Sequence, residues 1–172
     1  MRLLLLLMWL PVWGAVELGV DTFVKEGIDK ELKGKRVGLV SNHTGVDKHL
    51  HSTAEVLQKK GVQLVALFSP EHGWQGNHYA GENTANGNNA HLPVYSLHGK
   101  TRRPNDQMLK GVDVLIYDIQ DIGVRSYTYA TTLFYVMEEA AKKNIKVLVL
   151  DRPNPLGGEL IDGPMLDETL RS

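Results

Sequence analysis

Glu71 directly follows Pro70 at the end of an apolar run that closes with Phe68. A carboxyl set there, half-buried beside apolar neighbours, has its pKa pushed up and becomes a proton donor near neutral pH. A turn cap or an ion pair with a nearby Arg is the competing reading of the same residue. Glu82, in Ala80-Gly81-Glu82, lies eleven residues further on and reaches the same mouth if the intervening loop folds back. Asp118 and Asp121 flank Gln120 behind another apolar run, and Asp151 closes a further one. Glycoside hydrolysis uses one carboxylic acid at the leaving oxygen and commonly a second carboxylate for water or for the sugar carbon. This inventory supplies both.

Arg125 stands just before Ser126-Tyr127-Thr128-Tyr129, and Arg152 follows Asp151. A guanidinium beside such a mouth suits bidentate capture of a substrate carboxylate or phosphate. Pairing with Asp121 or Asp151 to hold the loops is the alternative. Tyr127 and Tyr129 read either as a sugar-stacking surface or as core. His43, His72 and His78, with Asp118 or Asp151, carry donor atoms that suit a metal ion, but these three histidines lack ligand-pair spacing. His49, His51, His91 and His98 read as solvated loop residues. No metal or cofactor is expected.

The elements that must position these groups are four short aliphatic runs, Val37–Val40, Gln63–Phe68, Val112–Tyr117 and Val147–Leu150, each ending in a polar cluster. Runs without polar alternation predict strands buried on both faces, as in a parallel sheet covered by helices. Ligands bind such sheets outside the carboxyl ends of the strands, so the four clusters converge on one rim. Ser52-Thr53-Ala54-Glu55 is a capping-box pattern that opens a helix over Thr53–Lys60, with Gly61 beyond its end. Pro104–Lys110 predicts a short helix stopped by Gly111. Ser126–Lys143 predicts the longest one, with Leu133, Val136, Met137 and Ala140 on one stripe. Val16–Leu32 reads as a lead-in with a short helix, and Pro93–Leu97 as a short strand. The excursion Glu71–Arg103, rich in Gly and Asn, is a functional loop on this reading. The expected fold class is α/β, a doubly wound parallel sheet with helices on both faces.

The chain has 172 residues, 42% of them hydrophobic, and a formal net charge of −1, which suits one globular core. Without basic excess, nucleic acid is not an expected partner. Zero cysteines exclude disulfides, thiolate metal sites and a Cys nucleophile. No glycine-rich phosphate-binding motif follows any run, which removes dinucleotide and P-loop readings. Residues 1–15 carry Met1-Arg2, the apolar stretch Leu3–Val12 and then Gly14-Ala15, the pattern of a signal peptide. That stretch is too short for a stable membrane span, so secretion or a periplasmic location is expected.

Six ordered segments then carry a resemblance. They are Leu39–Asp47, Ala66–Gly73, Ala80–Glu82, Leu92–Leu97, Asp113–Arg125 and Asp151–Gly158. Together they resemble the NamZ family of exo-β-N-acetylmuramidases, over about Leu18 to Pro164. The resemblance implies a Rossmann-like N-terminal domain over 16–164 and a cleft closed by a smaller C-terminal domain. It also implies release of N-acetylmuramic acid from the non-reducing ends of peptidoglycan fragments. Carried onto this chain, it implies Glu71 as catalytic acid and Glu82 or Asp118 as second carboxylate. Asn42, His72, Gln120, Arg125, Tyr127, Asp151, Arg152 and Asn154 become substrate contacts. The lactyl carboxylate of muramic acid gives Arg125 or Arg152 a specific task. Members continue well beyond the Asp151–Pro155 motif, so residues 165–172 read as the start of a truncated C-terminal region. A separately encoded C-terminal domain is then an expected partner. A non-catalytic binding module for wall sugars and a metal-dependent hydrolase of another bond are the alternative readings.

Overall fold

The computed structural model describes residues 16–89 and 92–170. The signal-peptide reading of residues 1–15 lies outside the described residues. Among the described residues six strands form one sheet: β1 Arg36–Ser41, β2 Gln63–Ser69, β3 Gly87–Asn89, β4 Leu92–Ser96, β5 Val114–Asp118 and β6 Lys146–Val149. Their order is β3-β4-β2-β1-β5-β6. All neighbours are parallel except β3, which pairs antiparallel with β4 at the edge. Helices α2 Thr53–Lys59 and α3 Tyr129–Lys142 form crossovers between parallel strands, and α1 Gly19–Lys25 precedes β1. Among the described residues no helix is long and apolar enough to cross a membrane.

The central strands are buried on both faces because alternate side chains feed two separate cores. Val37, Leu39, Leu67, Val114 and Ile116 join Val20, Phe23 and Leu57 from α1 and α2 on one face. Val40, Ala66, Phe68, Leu115 and Tyr117 meet Tyr129, Val136 and Ala140 of α3 on the other. Burying Val20 and Phe23 stabilises by roughly 1.5–3 kcal/mol apiece, which decides the fate of α1. A helix of seven residues is marginal in water on propensity alone. Gly38 lies at the crossing of β1 with β2 and β5. A Cβ there would come within 2.8 Å of Leu115 and 2.9 Å of Phe68.

Four differences from the sequence reading have local causes. The segment 104–110 forms successive turns, with Leu109 N–H to Asn105 C=O as its one helical bond. The Asn105 side chain takes the Met108 N–H at 3.0 Å, and Gly111 turns the chain at φ +79 before a second helical turn forms. The longest helix starts at Tyr129, three residues later than expected, since Thr128 at its N-cap makes no capping bond. Met137 is half exposed, so the buried stripe of α3 is Val136 and Ala140 with part of Leu133. Finally β6 is an edge strand with Lys146 and Val149 exposed, unlike the doubly buried run expected there. The capping box at Ser52 and Glu55 forms as read.

Candidate active site

Because β1, β2, β4, β5 and β6 run parallel, their carboxyl ends share one rim. The four expected clusters lie there, and β4 adds a fifth in Leu97-His98.

Glu71 stands at the end of β2 with its side chain 12% exposed. Its Oε1 accepts the Gly81 N–H at 2.7 Å, and its Oε2 accepts the Thr128 hydroxyl at 2.7 Å. His98 Nε2 lies 3.7 Å from Oε1. Thr128 is therefore diverted from capping its own helix to holding this carboxylate at the helix N-terminus, where the dipole favours negative charge. Burial by itself pushes the Glu71 pKa up. The hydrogen bonds from Gly81 and Thr128 and the charges of His98 and His72 outweigh it, and the net direction is down. This corrects the expectation of a raised carboxyl: in this environment Glu71 is held as a carboxylate.

The excursion after β2 does fold back. Gly81 touches Glu71, and Glu82 next to it accepts the Tyr79 N–H at 2.9 Å with His78 Nδ1 at 3.5 Å. The Glu82 side chain stays half exposed at the mouth. Further along, Thr84 is buried and hydrogen-bonded to Ser96 and to the His98 carbonyl.

Asp118 has a different role from the one expected of a second carboxylate. It is fully buried, with Arg152 Nε at 2.6 Å from Oδ1, Arg152 NH2 at 3.0 Å from Oδ2, and the Thr53 hydroxyl on Oδ2. Arg152 also donates to the Val46 carbonyl at 2.8 Å. Both groups are consumed in a pair that ties the ends of β1, β5 and β6 together, leaving no carboxylate edge for water and no guanidinium fork for a substrate anion.

Asn42 is buried at the end of β1 and accepts from the Thr44 N–H and hydroxyl, while its amide faces Tyr129 OH at 3.4 Å. Gln120 donates to the Asp121 and Pro153 carbonyls at 2.6 and 2.9 Å, bridging the loops after β5 and β6. Asn154 accepts from Leu156 N–H and packs on Gly123, which leaves no room there for a Cβ. These three are loop-shaping groups in the structure. His72 sits at φ +70 with Nδ1 2.9 Å from the His78 carbonyl, so this nitrogen is the donor and Nε2 is left for a ligand.

Arg125 and Tyr127 remain the open groups. Arg125 is exposed and makes one bond, to the Pro164 carbonyl at 2.8 Å. Tyr127 is 42% exposed and meets Tyr129 edge-on, with ring centroids 5.6 Å apart. Tyr129 is buried, its phenol pushed up by burial and by the charges of Tyr127 and Glu71. The expected alternatives thus divide: Tyr127 offers a surface and Tyr129 packs in the core. Asp151 is exposed and contributes its backbone carbonyl to Gly19 N–H.

Among the described residues no three His, Asp or Glu side chains gather as a metal-ion site. His43, in the expected donor set, instead packs against Gly76, leaving no room there for a Cβ. His98 is the functional candidate that sequence reasoning missed. Its address is legible, since Pro93–Leu97 reads as a strand and His98 follows its carboxyl end, but the reading of His98 as a solvated loop residue is corrected: it is buried.

Residues 37–172 match the family model described as exo-β-N-acetylmuramidase NamZ, N-terminal. The chain is 46% identical over 155 residues to the peptidoglycan β-N-acetylmuramidase NamZ of Bacillus subtilis (strain 168), covering 88% of this chain and 37% of that protein. A crystal structure of a DUF1343 family protein from Bacteroides fragilis NCTC 9343, solved at 1.65 Å, superposes with a TM-score of 0.79 at 48% identity. It covers 91% of this chain and 39% of that one. A second DUF1343 protein of the same organism, solved at 1.30 Å, gives 0.73 at 35% identity, over 92% and 40%. The chain therefore spans well under half the length of the relatives it matches.

Proposed function

The chain belongs to the family of the N-terminal domain of exo-β-N-acetylmuramidase NamZ, and from that premise we propose that it is the catalytic-site half of a glycoside hydrolase. Its substrate is the non-reducing-end N-acetylmuramic acid of peptidoglycan fragments. The observation that carries this reading is the carboxylate of Glu71, gripped from two sides by Gly81 and Thr128 on the rim. A carboxylate so fixed is suited to bear charge opposite a developing oxocarbenium ion or to take a proton from water. Glu82, half exposed one residue beyond Gly81, is the better candidate for the partner carboxyl now that Asp118 is paired. Tyr127 supplies an aromatic face for the sugar, and the Nε2 of His72 a polar contact.

For the lactyl carboxylate, Arg125 is the available cation, since Arg152 is committed to Asp118. Relatives are far longer, and the remainder of such a protein, following or separately encoded, would supply the opposite wall of the cleft. Work on the cell wall fits a secreted or periplasmic site of action. A binding module that recognises wall sugars without cleaving them is the second reading, favoured by the pairing of Asp118.

Release of free N-acetylmuramic acid from an aryl N-acetylmuramide separates the two. It is measured with this chain alone and with a C-terminal domain from a relative added. Turnover that disappears in Glu71→Gln, with the thermal transition kept, supports hydrolysis. Sugar binding without release in either mixture supports the binding module and sinks the hydrolase reading.

A further inference from the structure

His98 has no task in the reading above, yet it is the histidine most deliberately held on the rim. Its side chain is 10% exposed. Its backbone is bonded at both polar atoms: the carbonyl accepts from Thr84 Oγ1 at 3.0 Å and Ser96 Oγ at 2.7 Å, and the N–H reaches Ser96 Oγ at 3.1 Å. Thr84 N–H adds a further bond to the same carbonyl. Gly99 follows at φ +132, a conformation that suits glycine.

These bonds close a ring. Glu71 holds Gly81, the loop continues three residues to Thr84, Thr84 holds the His98 backbone, and His98 Nε2 returns to within 3.7 Å of Glu71 Oε1. At that separation, with both side chains largely out of water, a charge on imidazole acts on the carboxylate with little screening. The distance is beyond a hydrogen bond, so the interaction is one of field and orientation.

From this ring we propose that His98 is a positioning residue for Glu71: it keeps the carboxylate ionised and turned toward the mouth, and it couples the fold-back of the 71–86 loop to the state of the site. The proposal rests on the hydrolase reading of Glu71 but is separable from it. The other groups facing Glu71 are His72 on its own loop, Thr128 and Tyr129 from α3, and the Gly81 amide. His98 is the one that enters from the β4 end.

A carbon-detected NMR titration of the Glu71 side-chain carboxyl in the full 172-residue chain tests the idea without needing turnover. In His98→Gln the midpoint rises by at least ~0.5 pH unit relative to the parent, and His98→Lys, which restores a cation, brings it back toward the parent value. A folded His98→Gln protein with an unmoved midpoint overturns the proposal. Should the variants unfold, the parent chain decides: the His98 Nε2 resonance steps at the Glu71 midpoint if the two groups are coupled, and a flat trace there overturns the coupling. A coupled titration in a chain that never releases N-acetylmuramic acid would uphold the pairing while sinking the hydrolase reading. Turnover with uncoupled groups would do the reverse.

Discussion

Arg152 reaches back from the end of β6 and places Nε and NH2 on the two oxygens of Asp118 at the end of β5, with both side chains buried. Breaking a buried pair from one side leaves an uncompensated charge, whereas surface ion pairs contribute little. The pair is thus the lock of the rim, and the arginine is unavailable to substrate.

Arg152→Leu is expected to destabilise the chain by about 3–5 kcal/mol, measured by denaturant unfolding. Adding Asp118→Asn to it recovers part of the loss, because the stranded charge is gone. Equal stability of Arg152→Leu and parent would mean that the pair does not hold the fold.

Thr128→Val removes the hydroxyl that holds Glu71 Oε2 while keeping the side-chain shape. A hydrogen bond to a charged group contributes about 1.5–3 kcal/mol. The Glu71 pKa is lowered in the folded chain, so its ionisation stabilises the fold above the unfolded-state value, and that contribution disappears as pH falls through the lowered one. In Thr128→Val the acid-side loss accordingly begins at a higher pH. Thermal melts between pH 3 and pH 7 read this directly; identical acid limbs in both proteins would contradict it.

Gly38→Ala places a methyl within 2.8 Å of Leu115 and 2.9 Å of Phe68, side chains packed between sheet and helix. Overpacking of this kind costs about 1–3 kcal/mol. Calorimetry should show a lower transition temperature, while Gly34→Ala, where a Cβ meets nothing, is affected only through its φ of +76.

Arg125→Ala tests the anion clamp. The variant is expected to lose roughly tenfold in kcat/KM on N-acetylmuramides, about 1.4 kcal/mol, and to keep its rate on N-acetylglucosaminides. An unchanged preference would remove Arg125 from substrate recognition.

Much of the fold was legible because its signals are local. Val37–Val40, Gln63–Phe68 and Val112–Tyr117 lack polar alternation and are short, the pattern of strands covered on both faces. The capping box at Ser52 and Glu55 is likewise local chemistry. The edge strand Gly87–Asn89 was illegible: its residues are poor strand formers, and pairing with β4 is what extends them. The turns at 104–110 show the converse, helix-like residues whose first turn is ended by Gly111 at φ +79.

At the site, the residue types and their rim address were in the sequence, and so was the prominence of Glu71. Which carboxylate is free and which is locked was decided in three dimensions. Asp118 and Arg152 are 34 residues apart, and Glu71 and Thr128 57 apart. A carboxyl's charge state depends on the donors that reach it, which turned the expected proton donor into a fixed carboxylate. The sequence by itself determined a parallel sheet with a polar rim, because aliphatic runs must be covered and strand ends must not. Only the tertiary structure decided that His98 Nε2 comes within 3.7 Å of Glu71 and that Asp118 is locked by Arg152, because partnership between charges follows distance through space and not along the chain.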